Sequence, residues 1–156
     1  MYYREGTDMR GIRFMGKEII EEYLKPGIPL KPGAEEILSW LRERGITVAL
    51  ATANDLPRTE RYLARIGLLD AFDKIICADM VKQGKPAPDI YAFACETLGL
   101  SPKETFAVED SPNGVRSAYD AGCNVIMIPD LTEPDEDLKK LLYARLDSLV
   151  DIKRLF

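Results

Sequence analysis

Residues 105–114 read Thr-Phe-Ala-Val-Glu-Asp-Ser-Pro-Asn-Gly, and the fold is read outward from them. Phe106, Ala107 and Val108 form a short apolar run without polar alternation, the pattern of a strand covered on both faces. Two carboxylates, Glu109 and Asp110, come at its end. Pro112 then opens a helix, since proline suits a first helical turn where its missing N–H would be unpaired anyway. That helix runs to Ala121 and stops at Gly122.

The same succession repeats on either side. Upstream, Thr47-Val-Ala-Leu-Ala-Thr52 is a strand followed by a helix over 57–66 that closes at Gly67. Lys74-Ile-Ile-Cys-Ala-Asp79 is the next strand, with a helix over 88–98 ended by Gly99. Downstream, Asn124-Val-Ile-Met-Ile128 is a fourth strand, and Leu138, Leu141 and Leu142 mark a helix capped by Asp135. Leu146 and Leu149 keep helical spacing, which leaves the end of that helix open. Ahead of the first strand, residues 34–44 are amphipathic, with Ile37, Leu38 and Leu41 on one face and Gly45 as the stop. Ile12, Met15, Ile19, Ile20, Tyr23 and Leu24 give residues 12–24 helical spacing up to Pro26-Gly27, and Ile28-Pro29-Leu30 reads as extended.

Strand–helix alternation predicts βαβ units with right-handed crossovers, and hence a parallel Rossmann-like sheet between helical layers. Ligands of such sheets bind beyond the carboxyl ends of the strands. The loops after Thr52, Asp79 and Asp110 are therefore the ones to inspect.

Composition narrows the chemistry. The chain has 156 residues, 46% of them hydrophobic and 30% charged, enough for one globular core without staples. Twenty-one Lys and Arg against 26 Asp and Glu leave a net charge of −5, no broad footprint for nucleic acid or an anionic membrane. With no histidine at all, Ser-His-Asp and Cys-His relays and imidazole-ligated zinc or haem are excluded. Cys77, Cys95 and Cys123 contain no C-x-x-C pair and read as reduced, buried thiols. No apolar run approaches the roughly 20 residues of a membrane span, and the start lacks a signal-peptide core. The expectation is a soluble, cytoplasmic protein.

Each of the three loops carries a group suited to a phosphate. The hydroxyl of Thr52 and the backbone N–H groups of Ala53 and Asn54 can cradle a phosphate oxygen, although Thr or Asn there can also merely cap the next helix. In Lys82-Gln-Gly-Lys85-Pro-Ala-Pro-Asp89, two prolines stiffen the loop and hold Lys85 at the ligand edge, where it can neutralise a phosphate. Its plain alternative is a solvated lysine. Glu109 and Asp110 are adjacent hard oxygen donors that suit Mg²⁺, or else Asp110 or Ser111 caps the following helix.

Taken together, and in this order, these loops resemble motifs two, three and four of the haloacid-dehalogenase-like (HAD) hydrolases. The wording G-K-P-A-P-D and E-D-S-P-N-G is similar to the beta-phosphoglucomutase-like phosphatase branch, and the resemblance runs from about Pro32 to Ile128. It implies a three-layer α/β sandwich and Mg²⁺-dependent phosphoryl transfer on a small phosphorylated metabolite, by a phosphatase or a phosphomutase. It implies that Thr52, the Ala53 amide and Asn54 bind phosphate, and that Lys85 is catalytic and bridges phosphate and the acidic nucleophile. Glu109 and Asp110 would hold the metal directly or through water, with Ser111 close by.

The family's nucleophile motif, D-x-D-x-[TV] at the end of a central first strand, has no match. The one D-x-D, Asp135-Glu136-Asp137, follows Pro134 and opens a helix. The resemblance then implies a core without its N-terminal segment: residues 1–28 as a remnant of a helical cap and linker, 29–156 as the α/β core. The missing strand would lie between those ending at Thr52 and Glu109, leaving two open edges that invite self-association. This chain alone is expected to be inactive. The alternative is a catalytically dead fragment or pseudoenzyme that only binds phosphate. A flavodoxin-like or receiver-type module would explain the alternation but not the two motifs.

Overall fold

The structure is a computed structural model that describes residues 30–156. The helical spacing at 12–24, the extended stretch begun at Ile28 and the boundary between residues 28 and 29 lie outside the described residues.

Helix α1 (Ala34–Glu43) leads into strand β1 (Ala49–Thr52) and helix α2 (Leu56–Arg65). Then come β2 (Lys74–Cys77), α3 (Asp89–Leu98), β3 (Phe106–Glu109), α4 (Pro112–Asp120) and β4 (Asn124–Met127). Each of these lies within a residue or two of its predicted place. Gly33, just before α1, has φ +84°, and a β-carbon there would come within 2.8 Å of Val150 Cγ1. Only glycine meets both demands without strain.

Every strand pair is parallel. β1 pairs with β2 from Ala49↔Lys74 to Thr52↔Cys77, and β3 pairs with β4 from Phe106↔Asn124 to Glu109↔Met127. Among the described residues no strand joins β1 to β3, so there are two sheets, β1-β2 and β3-β4 extended by the short β5 (Ala144–Arg145), rather than one continuous sheet. Among the described residues β1 and β3 each keep one unpaired side, as the sequence reading expected.

Strand β4 shows why the fold has three layers. Val125 and Met127 lie in a core with Ile76, Ile90, Tyr91, Val115 and Leu138. Ile126 and Ile128, on the opposite face, pack with Ile37 and Ile152. Successive strand side chains point to opposite faces, so a strand buried on both must sit between two helical layers. Each fully buried Ile or Val contributes roughly 1.5–3 kcal/mol over leaving it in water.

The chain departs from its helical spacing near the end. Helix α5 (Glu136–Lys139) is short, with the Asp135 carboxylate accepting from Leu138 N at 2.7 Å. Strand β5 (Ala144–Arg145) follows, then a 3₁₀ run, Leu149–Leu155. Tyr143 N donates to Val125 O at 2.7 Å and Leu146 N to Met127 O at 2.9 Å. These bonds to the open edge of β4 prevail over the helical spacing of Leu146 and Leu149. No helix among the described residues is long and apolar enough to cross a membrane.

Candidate active site

The carboxyl ends of β1 and β3 converge through one lysine. The loop after β2 is tied down by its own backbone: Ala87 N donates to Gly84 O at 3.0 Å, and Gln83 N to the Asp89 carboxylate at 3.2 Å. The buried Ser117 hydroxyl, on α4, donates to Ala87 O at 2.6 Å. So fixed, the loop turns Lys85 inward. Its ammonium donates to the Ala51 carbonyl at 3.2 Å, to the Tyr91 hydroxyl at 3.3 Å, and to Glu109 Oε1. An ammonium has three N–H groups, and all three have acceptors here. The side chains of Lys85 and Glu109 are only 15% and 5% exposed, so this is a largely dehydrated ion pair, not a solvated lysine.

Glu109 is held from three sides. Lys85 and the Tyr91 hydroxyl both donate to its Oε1. Its carboxylate occupies the space that a β-carbon on Gly114 would fill, so it lies against the first turn of α4. Burial, and then the negative charge of Glu109, push the Tyr91 hydroxyl pKa well above its ordinary value, so Tyr91 keeps its proton and remains a donor.

The other expected residues are placed more loosely. Asp55, not Thr52 or Asn54, caps α2, accepting from Arg58 N at 2.9 Å. Thr52 and Asn54 are left to each other at the tip of β1: Thr52 Oγ1 accepts from Asn54 N at 3.2 Å and from Asn54 Nδ2 at 3.4 Å. Ala53 between them is exposed. Ser111 caps α4, accepting from Gly114 N at 3.2 Å, so Asp110 is not needed as a cap. Asp110 is exposed and makes no ion pair with another described residue.

Glu109 Oε2 and the Asp110 carboxylate are hard, anionic oxygens of the kind Mg²⁺ prefers. They would supply only part of a Mg²⁺ shell. Among the described residues no third Asp, Glu, Cys or His joins them, so water or a substrate phosphate would complete the shell.

The structure thus brings Lys85 and Glu109 together, sets Asp110 beside them, and places Thr52, Ala53 and Asn54 immediately after the Ala51 carbonyl that Lys85 holds. Sequence reading missed Tyr91, Gly114 and Ser117. Tyr91 lies one turn into the helix that follows the lysine loop, where an aromatic reads only as core.

The fold and site together are a parallel α/β core with a buried lysine–carboxylate pair at the carboxyl end of its strands. The family profile of the haloacid dehalogenase-like hydrolases matches residues 7–122, and the chain belongs to that family. It is 40% identical over 134 residues to hexitol phosphatase A of Escherichia coli (strain K12), covering 82% of this chain and 62% of that protein. It is 34% identical over 134 residues to the phosphorylated carbohydrates phosphatase of Thermotoga maritima, covering 86% and 59%. A crystal structure of mutant CbbY from Rhodobacter sphaeroides with xylulose-(1,5)bisphosphate aligns with TM-score 0.74 at 32% identity, covering 85% of this chain and 60% of that one. The chain therefore spans about three-fifths of the length of these relatives.

Proposed function

We propose that these residues form the phosphate- and metal-binding half of a phosphatase for small phosphorylated sugars. The observation that carries it is the buried Lys85–Glu109 pair at the ligand edge, beside the Thr52–Asn54 turn. Relatives that act on hexitol phosphates and phosphorylated carbohydrates support the substrate class. A phosphomutase of the beta-phosphoglucomutase type is the nearest variant.

In this reading the Thr52 hydroxyl and the Ala53 N–H donate to phosphate oxygens, Asn54 reaches them with the Nδ2 hydrogen that Thr52 does not take, and Lys85 turns one N–H toward them. Charge-assisted hydrogen bonds of this kind contribute roughly 1.5–3 kcal/mol each when well formed. The Lys85 charge is already shared with Glu109, so phosphate affinity is millimolar. Glu109 and Asp110 would hold Mg²⁺, which when bound neutralises charge on the phosphoryl group. The sequence contains no strand ending in D-x-D, so the attacking carboxylate is not among these 156 residues. The reduced thiols fit a cytoplasmic setting, and the unpaired sides of β1 and β3 fit self-association.

The test is a turnover assay of the pure chain with Mg²⁺ on hexitol and pentulose phosphates. No metal-dependent release of phosphate is expected. Turnover that Asp110→Asn abolishes would show that the attacking group lies within the chain, and this division of labour would be withdrawn.

A further inference from the structure

Lys85 has no spare N–H. For it to grip a phosphate, one of its three present acceptors has to be released, and which one decides where the ammonium ends up. The Glu109 carboxylate is charged and buried, so leaving it is the most costly choice. The Ala51 carbonyl is a neutral acceptor at the tip of β1, at the edge where the phosphate arrives. Tyr91 is different in kind. Its hydroxyl accepts from Lys85 and donates to the same Glu109 oxygen that Lys85 holds, closing a triangle. The Lys85 ammonium also lies 5.0 Å from the centroid of the Tyr91 ring, within reach of cation–π attraction.

Tyr91 is also the most firmly seated member of the triangle. It stands in the first turn of α3 and packs in the core with Ile76, Ala94 and Val115, whereas Lys85 comes from a loop. Side chains locked by packing can hold mobile ones to a fraction of an ångström.

The geometry points to Tyr91 as a positioning residue of this site: its hydroxyl pins Lys85 and Glu109 to each other, so that an incoming phosphate takes the N–H now given to the Ala51 carbonyl. The inference rests on the phosphate-site reading above and adds the residue that aims the lysine.

The experiment is an NMR titration of the full chain with inorganic phosphate, in wild type, Tyr91→Phe and Lys85→Ala. Phenylalanine keeps the ring in the core and removes only the hydroxyl. Tyr91→Phe is expected to bind phosphate about fivefold more weakly, the scale of one ordinary hydrogen bond, and Lys85→Ala at least tenfold more weakly. The Lys85 Cε signals of phosphate-free Tyr91→Phe should shift from their wild-type positions, which a side chain that merely fills space would not cause. In wild type, the Tyr91 ring signals should move as phosphate is added, a reading that depends on no variant folding. Lys85→Ala binding like wild type would remove the site itself. Loss of binding in Lys85→Ala, with wild-type affinity and unmoved Lys85 signals in Tyr91→Phe, would overturn the positioning role alone.

Discussion

The carboxylate of Glu109 occupies the space that a β-carbon on Gly114 would need. A glycine near the start of a helix and a buried acid at the end of a strand are thus one feature, since the acid fits only because the glycine has no side chain.

Gly114→Ala is therefore predicted to set two effects against each other. Alanine favours the helix by up to about 1 kcal/mol. Displacing Glu109 from Lys85 and Tyr91 breaks a buried ion pair, a loss of about 3–5 kcal/mol. The second wins, for a net destabilisation of about 2–4 kcal/mol and weaker phosphate binding. Urea denaturation reads the first and a phosphate titration the second. A more stable Gly114→Ala protein with unchanged binding would mean that Glu109 is not held where the structure has it.

Asp110 is exposed and Glu109 already has two donors on one oxygen, so Mg²⁺ should bind weakly here. Millimolar Mg²⁺ is expected to raise the melting temperature by no more than about 2 °C, and Asp110→Asn to remove that rise. A large rise that survives in Asp110→Asn would place the metal elsewhere.

The pH dependence has a definite sign. Burial, and then the neighbouring Cys95 with its sulfur 4.0 Å away, push the Cys123 thiol from 9.0 up to about 12. A raised folded-state pKa means the folded protein binds that proton more tightly than the unfolded chain. Its contribution is complete below about pH 9 and is lost as pH rises toward 12. Urea midpoints at about pH 8 and about pH 10.5 should show a fall that is smaller in Cys123→Ala. Equal falls in the two proteins would show that Cys123 is not the group responsible.

Most of the fold was legible because the strands announce themselves. Val125, Ile126, Met127 and Ile128 are apolar in succession since both faces of β4 are covered. Strand β5 was not legible: two residues have no period, and only the open edge of β4 makes them a strand. The division into two sheets carries no local signal, and it was expected only from the missing first strand that the family resemblance implies.

In the site, Lys85, Glu109 and Asp110 were legible from the wording of their loops, a lysine set between a glycine and two prolines and two carboxylates directly after an apolar run. The question of capping was answered by neighbours: Asp55 and Ser111 take the caps, so Thr52 and Asn54 bond to each other instead and Asp110 caps nothing. Tyr91 was not legible. Its ring obeys the helical core pattern, and only the folded chain shows its hydroxyl against Glu109.

Lys85, at the meeting of β1 and β3, is the group that makes this edge a phosphate site. Isothermal titration of inorganic phosphate into wild type and Lys85→Ala tests it most directly, with a melting curve of each to confirm that both are folded. Wild type is predicted to bind with millimolar affinity and Lys85→Ala at least tenfold more weakly, a loss of about 1.4 kcal/mol or more. Equal affinity in two folded proteins would contradict the account, leaving Lys85 as no more than the partner of a buried glutamate.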